Sequence, residues 1–116
     1  MKLMRHGPQG QEKPGLVDAQ GVLRDLSAHV ADISSATLNP DTLARLAALD
    51  PATLPVLPAD TRLGACVGQV GNVVAIGLNY ADHAAEAGLK APSQPIVFNK
   101  HNGAISGPFD DVLLPP

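Results

Sequence analysis

Tryptophan is absent, and one tyrosine and two phenylalanines supply all of the aromatic content, 3% of 116 residues. With so few large rings and with eleven glycines and eleven prolines, long strands are excluded, and the chain must be built from short strands and many loops. A single cysteine, Cys66, excludes an internal disulfide, and its apolar neighbours Ala65 and Val67 predict a buried, inert thiol. No apolar run approaches the roughly 18 residues of a membrane span, and Met1-Lys2-Leu3-Met4-Arg5-His6 lacks the apolar core of a signal peptide. A cytoplasmic protein with no membrane partner is expected. The eight Lys and Arg are scattered and the net charge is −3, so there is no basic stripe for nucleic acid or an anionic surface.

What is present is 45% hydrophobic residues, enough for one modest core. Lys2 to Arg5 reads as a strand. The stretch Gly15 to Leu26 reads as a hairpin around Asp18-Ala-Gln-Gly21, with Gly21 taking the positive φ of the turn. From Asn39 to Asp50 the signals are those of a helix: an N-cap Asn, Pro at the first helical position, an early Asp, and Leu43, Leu46, Ala47 and Leu49 near one face. Pro51 to Pro58 has three prolines and reads as an extended, non-helical connector, which puts a boundary near Asp60. The fold class is α+β, mostly β: a small antiparallel subdomain with one helix over 1–60, then short strands and a helix over 61–116.

In the second part, 63–70 and 72–76 look like strand material, and Ile96 to Lys100 is a strand ending in a lysine. One more short strand is expected from Asp110 up to the Pro115-Pro116 pair, after a turn at Gly107-Pro108, and the chain stops where a further strand is anticipated. Between the two central strands lies Gly77-Leu-Asn-Tyr-Ala-Asp-His-Ala-Ala-Glu86. A helix over 79–88, with Asn79 as N-cap and Asp82 in a box-like arrangement, places His83 and Glu86 on one face, and Gly88 can end it. A carboxylate one turn from an imidazole can hold the ring and fix its tautomer, as a general base requires. The same spacing also describes an ordinary pair on a solvated helix face, and spacing alone leaves both open. Lys100 could neutralise a substrate carboxylate or simply be solvated. Asp110-Asp111 reads as a turn, and no set of residues has metal-ligand spacing.

Gly77 to Glu86, Pro95-Ile-Val-Phe-Asn-Lys100 and Gly107-Pro-Phe-Asp-Asp-Val-Leu-Leu-Pro115, in that order, resemble the fumarylacetoacetate hydrolase family. Met4-Arg-His-Gly-Pro8 and Gln11-Glu-Lys-Pro-Gly-Leu16 resemble its bacterial branch acting on 2,4-diketo-3-deoxy sugar acids, often labelled ureidoglycolate lyase, so the likeness covers the whole chain. The resemblance implies a C–C bond hydrolase in which His83 and Glu86 activate water from a short helix that can close over the substrate. Lys100, Asn79 and Tyr80 would then line the substrate site, with a diketo acid as the small-molecule partner and a homodimer as the assembly. His101-Asn102-Gly103 departs from the forms common there. The family binds Mg²⁺ or Mn²⁺ through a Glu-x-Glu motif and a further Asp; the only glutamates here, Glu12 and Glu86, are far apart, so this chain holds no ligand for it. The 116 residues therefore resemble the N-terminal part of a larger mixed β-roll and are expected to be inactive alone. A non-catalytic module that binds a partner, and a lyase or decarboxylase on the same scaffold, are the alternatives.

Overall fold

The computed structural model describes residues 1–114. It is α+β and mostly β, with two small antiparallel sheets and two short helices arranged in two compact units. The first unit comprises Met1–Gln69 and the described residues from Ser106 onward, and the second is Val70–Ile105.

In the first unit, β1 (Lys2–His6), β2 (Lys13–Val17) and β3 (Leu23–Asp25) form an antiparallel sheet in that order, with Met4 opposite Gly15 and Leu16 opposite Arg24. The expected hairpin is present. Gly21 sits at φ +83°, and the Asp18 carboxylate accepts hydrogen bonds from the amides of Gln20 and Val22 at 3.0 and 2.8 Å, which closes the loop from inside. Helix α1 (Pro40–Ala47) also follows its signals: Asn39 is the N-cap, its side-chain oxygen accepts from the Thr42 amide at 2.9 Å, and proline opens the helix where no amide is needed. Leu46 turns inward to join Leu16, Leu26 and Leu54 in a buried cluster, with Leu3, Val30 and Leu49 packed against it. Apart from Ala84, the buried apolar residues all lie in this unit.

Several expectations are corrected. Pro51–Thr53 forms a 3₁₀ turn, because Asp50 caps it through the Ala52 amide and proline is tolerated at a first helical position. The extended reading holds only from Pro55 to Leu57, which pair with β3. The 63–70 stretch is not a strand beyond an isolated bridge from Leu63 to His6. The Gly64 amide closes that bridge on the Arg5 carbonyl at 2.8 Å; beyond it the Gly68 amide goes to the Ile33 carbonyl at 2.7 Å, outside either sheet, and Gln69 then bends the chain at φ +55°. Cys66 is exposed on this looped segment, since its apolar neighbours gain no sheet to bury it. Residues 110–114 form no strand; Val112, Leu113 and Leu114 are exposed without a ladder partner, and Pro115 and Pro116 lie outside the described residues. The turn at Gly107 is as read, with the Gly107 amide donating to the Asp110 carboxylate at 2.7 Å.

The second unit is a hairpin of β4 (Val73–Gly77) and β5 (Ile96–Lys100), paired from Val73 with Lys100 to Gly77 with Ile96. The β-branched residues drive it and Pro95 marks its return. Between the strands stands α2 (Ala81–Glu86). Among the described residues no helix is long and apolar enough to cross a membrane.

Candidate active site

Helix α2 begins one residue later than its sequence suggests. Tyr80, not Asn79, is the N-cap, and its side chain makes no capping hydrogen bond. Asp82 therefore falls at the second helical position, and its carboxylate accepts from the neighbouring His83 amide at 2.8 Å, so there is no reciprocal box. Two residues before the cap, Leu78 adopts φ +49°, a left-handed bend that costs a residue with a side chain roughly 1–2 kcal/mol. The other end is closed as read: Gly88 takes φ +67°, its amide donates to the Ala85 carbonyl at 3.0 Å, and the Leu89 amide donates to that of Ala84 at 2.8 Å.

On this helix the sequence-predicted pair shares one face. His83 Nδ1 stands 4.0 Å from Glu86 Oε2, with the side chains 63% and 85% exposed. This is charge-pair distance but longer than a hydrogen bond. Tyr80, Asp82, His83 and Glu86 surround a shallow hollow, so the imidazole opens onto a space carrying two carboxylates and a phenol. Asn79 lies outside the helix and lines a different hollow, with Ile76, Leu78, Ala81, Pro92 and Gln94. Lys100 does not line the hollow beside the pair. It faces Val73, four residues along the ladder from the Gly77 end where the chain leaves for α2, or roughly 13 Å, and its ammonium rests 5.6 Å from the centre of the Phe98 ring. His101 turns inward on its own loop, where Nδ1 accepts from the Gly103 amide at 3.0 Å. Chemically, α2 offers an accessible ring nitrogen beside a carboxylate, an arrangement able to take a proton from a water held over the helix.

Residues 72–116 match the family model described as "Fumarylacetoacetate (FAA) hydrolase C-terminal". That stretch contains β4, α2 and β5. Residues 72–116 belong to the fumarylacetoacetate hydrolase family. Along nearly its whole length the chain is also similar to proteins of Burkholderia: 57% identical over 115 residues to one of B. ambifaria strain MC40-6, and 58% identical over 115 residues to one each of B. lata and B. multivorans. Each covers 99% of this chain, and each is named as an inferred hydrolase with no substrate given. The chain spans about two-fifths of the length of these curated relatives, 41% in each case. The fumarylacetoacetate hydrolase segment offers no cradle for the divalent metal of the family: among the described residues no three His, Cys, Asp or Glu side chains converge. Asp110, the best-held acid of the C-terminal stretch, is bound through both oxygens to Arg62 at 2.8 and 2.6 Å. Sequence reasoning missed that clamp, since nothing local links residues so far apart.

Proposed function

We propose that this chain is part of a hydrolase that cleaves a C–C bond in a 2,4-diketo acid, of the acylpyruvate or 2,4-diketo-3-deoxy sugar acid type. The observation that carries the reading is the presence of His83 and Glu86 on one face of α2, inside the segment that matches the family. His83 takes a proton from water as the oxygen attacks the keto carbon; Glu86 orients the ring. The tetrahedral alkoxide collapses, the C–C bond breaks, and the departing enolate of the α-keto acid regains a proton as the carboxylic acid forms. The 4.0 Å separation of the pair shortens to a hydrogen bond when substrate excludes water, as is common between free and bound sites. Asn79 and Tyr80 flank the helix start and would meet the substrate there, and Lys100 would face its carboxylate. No group of three metal-ligating side chains among the described residues would hold the Mg²⁺ or Mn²⁺ of the family.

The test is turnover of an acylpyruvate by the full-length protein that carries this chain. His83→Ala lowers kcat by at least about 100-fold, the usual loss for a general base, and Glu86→Gln loses less because it keeps the shape without the charge. A His83→Ala rate within a few-fold of wild type would remove the pair from the mechanism.

A further inference from the structure

Leu78 is, among the described residues of the second unit, the one non-glycine residue with a left-handed backbone. A residue with a Cβ is kept in that region only where its surroundings overdetermine the bend, and such bends concentrate where a site must be held in one orientation. Here the surroundings are specific. Leu78 joins Gly77, the last residue of β4 and the partner of Ile96, to the two residues that precede α2. The helix receives no side-chain cap from Tyr80, and of its six residues Ala84 alone is buried. Capping and core packing therefore do little to choose the direction in which α2 sets out. Closure at Gly88 and Leu89 fixes where the helix stops, which leaves its heading to the bend. Leu78 itself is half-buried and lines the hollow it shares with Asn79, Ala81 and Pro92.

We propose that Leu78 is a positioning residue whose left-handed backbone sets the heading of α2, and with it the orientation of His83 and Glu86. Its catalytic consequence rests on the function proposed above; its structural consequence does not. Two substitutions separate backbone from side chain. Asparagine adopts positive φ readily but is polar, whereas valine is apolar and strongly disfavours it because it is branched at Cβ.

Hydrogen exchange in the whole chain reads the helix directly at the amides of Ala84, Ala87, Gly88 and Leu89, with those of Met4 and Leu16 as a control for folding of the first unit. Leu78→Asn keeps exchange within about 3-fold of wild type, and Leu78→Val accelerates it by about 10-fold or more. In the full-length protein Leu78→Val lowers kcat by about 10-fold or more with KM within about 3-fold, while Leu78→Asn stays within a few-fold of wild type. If valine also exposes the control amides, Leu78→Ala replaces it, and asparagine ranking above alanine decides for the backbone. The reverse ranking, equal effects, or no effect would overturn the proposal and assign Leu78 to side-chain packing. If the exchange ranking holds while His83→Ala leaves turnover unchanged, the positioning of α2 stands and the catalytic reading falls. If His83→Ala abolishes turnover and the ranking is absent, only the positioning role falls.

Discussion

His6 shows how much a single side chain in the first unit can leave unsatisfied. Its ring is buried, Nε2 finds no hydrogen-bond partner, and the nearest acid, Asp25 Oδ2, is 3.5 Å away but out of line. A buried polar atom left unpaired costs about 1–3 kcal/mol, and an apolar replacement of similar shape recovers part of that. Leu26 is the opposite case, with 0% exposure and every face in contact with the core. His6→Leu is therefore expected to hold stability within about 1 kcal/mol of wild type, whereas Leu26→Ala loses about 2–5 kcal/mol through lost burial and an unfilled cavity. Denaturant midpoints of the two variants check this; equal losses would mean that the His6–Asp25 contact is worth more than its geometry suggests.

The two helices are held by different means. α1 carries its instructions locally, in Asn39, Pro40 and the inward Leu46, and Asn39→Ala is expected to lower stability by about 1 kcal/mol in a denaturant titration; an unchanged midpoint would mean that neither the Oδ1 cap on the Thr42 amide nor the Nδ2 donation to the Ala36 carbonyl, 2.7 Å long, holds the helix start. This is why α1, the Asp18–Gly21 hairpin and β5 were legible: each depends on residues adjacent in sequence. The family segment was legible for the same reason, because the strand, the His83 and Glu86 spacing and the Gly88 stop all lie within one short stretch. What could not be read was settled by distant partners or by strain. The 63–70 segment has strand-like composition, but its amides go to Arg5 and Ile33, and no local pattern announces that. Asn79 is a better capping residue than Tyr80 on preference alone, yet Tyr80 holds the position, two residues beyond a bend at leucine, the kind of residue from which a left-handed backbone is not expected. So the pairing of His83 with Glu86 was visible in the sequence, and the left-handed bend at Leu78 was not.

At the scale of the molecule, the first unit is tied together by a run of charges rather than by its core alone. Asp32 binds Arg5 at 2.6 Å; Arg5 stands 3.7 Å from Glu12; Glu12 meets Arg62 at 3.1 Å; and Arg62 grips Asp110 at 2.6 Å while donating to the Gly7 carbonyl at 2.8 Å. The run links β1, the loop after it, the 62–64 crossing and the returning segment that contains Asp110. The Arg62 hydrogen bond, then the Gly107 amide, hold the Asp110 carboxyl below the ordinary range, more than offsetting its desolvation. Burial pushes Glu12 up, but its backbone hydrogen bond together with Arg62 and Arg5 outweighs this and leaves it lowered. Asp18 is lowered in the same way, burial being outweighed by the Val22 amide, Arg24 and the Gln20 amide. Because these carboxyls bind protons more weakly folded than unfolded, their contribution is complete above the ordinary carboxylate pKa of about 4 and is lost as pH falls below it through the lowered values. The denaturation midpoint of the chain should thus be level from about pH 7 to pH 5 and drop below about pH 4. Asp110→Asn removes one member of the run, so it should be less stable than wild type at neutral pH and show a shallower acid decline, the two curves converging at low pH. An Asp110→Asn curve parallel to wild type throughout would place the acid sensitivity on other groups and leave the Arg62 clamp without a part in it.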